Sequence, residues 1–240
     1  MELTSKQKEK YFCSTFLKEI GEKGQVKLLN SKVLVVGAGG LASATLMYLT
    51  SLGIGTIGVV DFDTINLDNL PRQILYSVQD VSKLKVEVAK ERLQKLNDDV
   101  EIISYNEKLT SKNAKKIFSG YDIVLDCVDN FETKFLINDT CRELKIDLVS
   151  GGVSGFKGQV MLITKESKKD FKSLFSDTSF KITKEVRDTD RGVYPLAVSL
   201  VSTLECNEAI KHLLKLDKHI DGEVLVINSL VPSIEKFYLQ

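Results

Sequence analysis

A buried strand that feeds directly into a glycine turn restricts this chain more than any other feature. Lys32 to Val36, KVLVV, is a continuous apolar run of the kind covered on both faces of a parallel sheet. It runs into GAGG, Gly37 to Gly40, and then into LASATLMYLTSLG, a helical stretch closed by Gly53. Further strands are expected over Thr56 to Asp63, Val100 to Tyr105 and Asp122 to Asp129. Helices are expected over Ser82 to Leu96, Asn113 to Phe118 and Phe131 to Leu144. Strand and helix alternating through short connections predict right-handed crossovers. The fold class is α/β: a Rossmann-like, open, mostly parallel sheet with helices on both faces.

After Leu148 the pattern changes. LVSGGVSGFKGQVMLIT predicts a strand, a glycine-rich bend and a second strand, and EVLVIN and SIEKFYL predict two terminal strands, so this end of the sheet is antiparallel. A helix is expected from Pro195 to about Leu216, and Glu166 to Arg191 is a polar crossover segment without a period. Phe12, Phe16, Leu17 and Ile20 form an apolar stripe on an N-terminal helix. The chain divides into a helical arm (1–30), a nucleotide-binding core (32–164), a crossover loop (165–192) and a C-terminal helix with strands (193–240), together one domain.

Composition narrows the function. Lys and Arg number 33 against 33 Asp and Glu, which removes the cationic excess that a nucleic-acid coat or polybasic membrane binder needs. No apolar run approaches the roughly 18 residues of a membrane helix, and MELTSKQKEK has no apolar signal segment. Cys13, Cys127, Cys141 and Cys206 are scattered with no C-x-x-C pair, so neither a zinc ribbon nor a disulfide framework is expected. A cytoplasmic protein with reduced thiols is the natural reading.

Gly37, Gly39 and Ala42 spell G-x-G-x-x-A between strand and helix. The first glycine permits the turn, the second lets a phosphate approach the backbone, and the small third residue lets helix and strand pack closely. Asp61 lies at the end of the second strand, where an acid commonly accepts hydrogen bonds from a ribose hydroxyl. A nicotinamide cofactor would fit these features alone. Asn69, Arg72 and Gln73 sit in the next loop and Lys85 opens the next helix; of these, Arg72 and Lys85 supply cations suited to a triphosphate. Asp129, at the carboxyl edge of the sheet, suits Mg²⁺ held with phosphate oxygens; its structural alternative is to cap the Phe131 helix. With two histidines, His212 and His219, both late in the chain, acid–base chemistry on a hydride acceptor has few candidates.

VVGAGGLAS, VVDFDTINLDNLPRQIL, LKVEVAKERLQKLN, VLDCVDNFETKFLIND and LVSGGVSGFKGQ together resemble the adenylyltransferases of the ubiquitin-activating superfamily, in particular the ThiF, MoeB and HesA group. The resemblance implies Mg-ATP binding and adenylation of the C-terminal glycine of a small ubiquitin-like, sulfur-carrier protein ending in Gly-Gly. It implies a homodimer, and places Gly40, Asp61, the run Asp68, Asn69, Leu70, Pro71 and Arg72, then Lys85, Asp129 and Asn130 at the ATP site. By position Arg72 and Lys85 match the phosphate-binding catalytic pair, and Asp129 the magnesium ligand. Departures accompany the matches. Where relatives carry zinc cysteines this chain reads KSLFSDTSF, and where some carry a reactive cysteine it reads RDTDRGV, with Asp188 and Asp190. Cys13 stands at the place of an N-terminal arginine that reaches a neighbouring subunit's ATP site, with Lys10 near it as a substitute cation. Those departures leave a second expectation, a weak or inactive activating-enzyme-like scaffold subunit.

Overall fold

The computed structural model describes residues 2–174, 192–216 and 220–238. Eight strands form one sheet: β1 (Lys32–Val36), β2 (Thr56–Val60), β3 (Glu101–Tyr105), β4 (Ile123–Asp126), β5 (Asp147–Ser154), β6 (Lys157–Ile163), β7 (Glu223–Asn228) and β8 (Ser233–Tyr238), in the order β3-β2-β1-β4-β5-β6-β7-β8. The first five are parallel, and β6 to β8 are antiparallel. Strand order reverses beside β1, whose neighbours are β2 and β4, and ligands of open α/β sheets bind in the crevice at such a point.

Pleating sends alternate residues of β1 to opposite cores. Val33 and Val35 join the layer containing Leu28, Leu46, Leu49, Leu93 and Val201, while Leu34 and Val36 join the layer containing Phe118, Ile137 and Phe171. Both sheet faces are therefore covered, as the apolar strand requires. Each fully buried Val, Leu or Ile contributes about 1.5–3 kcal/mol. On the first face lie α3 (Gly21–Leu29), α4 (Gly40–Ser51), α5 (Lys85–Leu96) and the long C-terminal α9 (Pro195–Leu214). The second carries α6 (Ala114–Phe118), α7 (Phe131–Leu144) and α8 (Phe171–Leu174). Among the described residues no helix is long and apolar enough to cross a membrane.

Register sets up the site. Val60, Val36 and Asp126, the last residues of β2, β1 and β4, stand side by side with Ser150, midway along β5. Asp61, Gly37, Cys127 and Gly151 are the residues that leave this row.

Some expected boundaries move, each for a visible reason. β2 stops at Val60 rather than Asp63, because Asp61 turns back to bind backbone amides. β4 stops at Asp126, three residues before Asp129, because the Asp126 carboxylate accepts the Val128 amide. α5 starts at Lys85, since Ser82 adopts φ +73° in a tight turn. The N-terminal arm breaks into α1 (Ser5–Lys10), α2 (Phe12–Thr15) and α3. Its expected stripe does not face the core: Phe12, Phe16 and Leu17 are 61%, 81% and 53% exposed. The arm is anchored instead by Tyr11, buried against Gly53, where a Cβ would stand 2.6 Å from the Tyr11 hydroxyl oxygen. Residues 175–191 of the expected crossover loop, Asp188 and Asp190 among them, and His219 lie outside the described residues.

Candidate functional site

Gly37 opens the turn at φ +99°, and a Cβ there would stand 2.9 Å from the carbonyl oxygen of Cys127. Only glycine satisfies both the angle and the approach. Its amide donates to the Val60 carbonyl at 2.8 Å, which ties the turn to the end of β2. Gly39 then caps α4 with no side-chain acceptor, so the first amides of a 12-residue helix point outward unpaired by any cap. Such a terminus attracts an anion through its free N–H groups and partial positive charge.

Asp61 faces this turn. Its Oδ2 accepts the Ala38 amide at 2.7 Å and its Oδ1 accepts the Asp63 amide at 2.8 Å. Each oxygen retains a lone pair, so a ribose hydroxyl can still be accepted. Tyr76, which no sequence motif singles out, donates its hydroxyl to the Ala38 carbonyl at 2.8 Å from a buried position, and burial pushes its phenol well above the ordinary tyrosine range. The turn is held from both sides.

The segment after β2 brings its polar residues to the same place. A short 3₁₀ turn, Leu67–Asn69, is closed by Asn66 and Asn69 bonding to each other's backbone. Asn69 is buried and its carbonyl accepts the amides of Arg72 and Gln73, so it shapes the loop. Asp68 is exposed and accepts the Arg72 guanidinium through its carbonyl at 3.0 Å; Leu70 packs against the core and Pro71 is exposed. Arg72 lies against Gly40, where a Cβ would meet its carbonyl at 3.4 Å, and it forms no ion pair with any described carboxylate. Gln73 lies against Gly39, buried, with its side-chain amide oxygen Oε1 unpartnered. An orphaned polar atom beside a glycine turn marks a place where a ligand or water completes the bonding. Arg92, on α5, secures the far end of the segment: it donates to the Leu75 carbonyl, to Ser77 and to Asp80. Burial opposes ionisation of Asp80, but hydrogen bonds from Ser77 and Lys83 and the Arg92 charge outweigh it and hold the carboxyl at about 2.

Lys85 is the first residue of α5, 5% exposed, with Nζ 3.1 Å from Asp63 Oδ2 and its amide on the Asp63 carbonyl. A continuous path of bonds therefore runs from the glycine turn through Asp61 and Asp63 to a buried ammonium. Asp129 is exposed and bonds to no described residue. It does not cap α7: Asn130 does, accepting the Thr133 amide at 2.9 Å. Among the described residues no three His, Cys, Asp or Glu side chains group as a metal centre. A lone carboxylate fits a Mg²⁺ shared with phosphates, which needs only one or two from the protein.

The remaining candidates lie elsewhere. His212 sits in the last turn of α9, with Nε2 2.8 Å from Asp147 at the opposite end of the sheet. Cys127 and Cys206 are buried, as packing residues should be. Lys10 is engaged on its own chain: Nζ lies 2.5 Å from Asp98, 2.7 Å from Asp99 and 2.8 Å from Asn97.

Residues 13–240 match the ThiF family. The sulfur carrier protein adenylyltransferase of Thermus thermophilus is 36% identical over 98% of this chain and 89% of its own. The molybdopterin-synthase adenylyltransferase of Haemophilus influenzae is 34% identical over 100% of this chain and 98% of its own. Of two further relatives, each 36% identical, the chain spans 60% and 52% of the length. Among solved structures, Escherichia coli MccB with ATP superposes with a TM-score of 0.84 over 96% of this chain and 71% of that one, at 22% identity, a likeness of fold.

Proposed function

The chain belongs to the ThiF family, and we propose that it is an ATP-dependent adenylyltransferase activating the C-terminal carboxylate of a small ubiquitin-like carrier, with release of pyrophosphate. In this reading residues 1–240 work as one adenylation domain. The observation that carries it is the convergence of Arg72, Gln73 and the Asp61–Asp63–Lys85 path on one glycine turn.

The chemistry needs little from side chains as acids or bases. A terminal carboxylate is ionised near neutral pH, so one of its oxygens attacks the α-phosphorus without a general base. An O–P bond to the carrier forms, the bond from the α-phosphorus to the bridging oxygen breaks, and pyrophosphate leaves with the electron pair. The obstacle is bringing anion onto anion. The α4 amides and the Arg72 guanidinium screen the phosphates, Lys85 adds a fixed positive charge from a buried position, and Asp61 orients the ribose. Mg²⁺, when bound by Asp129 with the phosphates, would supply further charge neutralisation. Asn69 and Asn130 build the loops that present these groups.

A second reading, a weak or inactive scaffold subunit, draws on the arm. Lys6 and Lys10 pair with Asp98 and Asp99, and Lys8 pairs with Glu22, all within one chain. Each lysine of α1 has a partner within its own chain, which supports reading the lost arginine as unreplaced from there. A homodimer remains part of the proposal, with Phe12, Phe16 and Leu17 as the surface that a second copy would cover. ATP–pyrophosphate exchange dependent on a carrier ending in Gly-Gly separates the two readings.

A further inference from the structure

A buried charged cluster lies directly beneath the loop that carries Asp129. Asp126, the last residue of β4, is 1% exposed, and Lys134, one turn into α7, is 4% exposed. Their Nζ and Oδ2 are 2.8 Å apart. The same ammonium donates to the Gly151 carbonyl of β5 at 2.6 Å, and Ser150 Oγ donates to the same Asp126 oxygen at 2.7 Å. The other carboxylate oxygen accepts the Val128 amide at 3.2 Å. Asp126 is therefore satisfied from α7, from β5 and from the loop itself, as a buried carboxylate must be. Glu205 approaches from α9, fully buried, with Cys127 donating its thiol toward Oε2 at 3.8 Å.

We propose that Lys134 and Asp126 are positioning residues for Asp129. The loop between β4 and α7 has four residues, Cys127 to Asn130, and this pair clamps it at both ends: Asp126 holds the start through the Val128 amide, and Lys134 ties the first turn of α7 to β5. The Asp129 side chain has no bond of its own to a described residue, so its direction follows from the loop backbone. Two oppositely charged, buried groups hold this backbone at both ends. Placing the metal-facing acid on a clamped loop reduces what nucleotide binding must order. The inference rests on the reading of Asp129 given above.

The test compares wild type with Ser150→Ala and the charge-neutral double variant Asp126→Asn/Lys134→Met, because Lys134→Met alone leaves a buried unpaired carboxylate and can fail to fold. Two quantities are read on the full chain: amide hydrogen exchange of residues 128–131, and the Mg²⁺ concentration giving half-maximal ATP binding. Exchange in that loop is expected to rise at least ten-fold in the double variant and less in Ser150→Ala, with β2 amides unchanged. The Mg²⁺ requirement is expected to rise at least five-fold, with affinity for metal-free ATP within two-fold of wild type. Folded variants with unchanged loop exchange, or with faster exchange and an unchanged Mg²⁺ requirement, would overturn the proposal. A wild-type chain that binds no Mg-ATP strikes the reading of the site instead, and the exchange comparison alone then decides whether the pair clamps the loop.

Discussion

The amide of Ala38 donates to the carboxylate of Asp61 across a 2.7 Å bond, which joins the glycine turn to the end of β2 before any nucleotide arrives. Asp61 is thus part of the turn's construction as well as the proposed ribose acceptor.

Asp61→Ala should therefore lower both binding and stability. Two amides, those of Ala38 and Asp63, lose their acceptor. The expected loss is about 2 kcal/mol in unfolding free energy, the scale of unmet polar groups and charged hydrogen bonds. ATP affinity should fall at least ten-fold, measured by calorimetry beside a urea titration. A variant of wild-type stability and affinity would contradict this assignment.

Glu205 predicts a pH dependence of opposite sign to that of an ordinary paired carboxylate. Burial pushes its carboxyl well above the ordinary glutamate range; Lys134 opposes the rise, Asp126 adds to it, and the Cys127 thiol and Gly151 backbone oppose it. Below the unfolded value of 4.5 the group is protonated in both states and contributes no difference. As pH rises past that value only the unfolded chain ionises, so stability falls until the folded value is reached. Glu205→Gln removes this loss. Its stability relative to wild type should improve between pH 4.5 and pH 8 by at least about 1 kcal/mol, since a tenfold difference in proton affinity between folded and unfolded chain is worth about that much. A constant difference across this range would show that Glu205 is charged in the fold.

Thiol labelling should divide the cysteines. Cys13 is exposed, whereas Cys127, Cys141 and Cys206 are buried, and burial lifts all three thiols, Cys206 to about 12. Native protein treated with iodoacetamide at pH 8 should be modified once, at Cys13, and at all four positions after unfolding. Rapid native modification of Cys127 or Cys206 would reopen a covalent role for sulfur.

Local pattern makes much of this legible. KVLVV, GAGG and the following apolar helix are contiguous, so strand, turn and helix follow from one stretch of sequence, whereas the helix expected from Ser82 begins only at Lys85. Sequence places Asp129 at the carboxyl edge of the sheet, yet neither its freedom nor the capping role of Asn130 is visible there, because both depend on where β4 stops. That stop is set by the Asp126 side chain. Lys134 reads as one more surface lysine in FETKFL; it is buried because Gly151 and Asp126 meet it from two strands, a coincidence of the fold rather than of neighbouring residues. The N-terminal stripe, Phe12, Phe16 and Leu17, is exposed and still needs a surface to cover it; its spacing does not reveal that the arm breaks into two short helices before α3.

Arg72 and Asp129 are proposed to serve a Mg-ATP site used to adenylate a carboxylate. ATP–pyrophosphate exchange with a carrier ending in Gly-Gly, measured for wild type, Arg72→Ala and Asp129→Ala, tests it most directly. Carrier-dependent exchange in wild type with at least a roughly 100-fold fall in each variant is the predicted result, on the scale of losing one transition-state contact. Exchange that persists unchanged in both variants would contradict it.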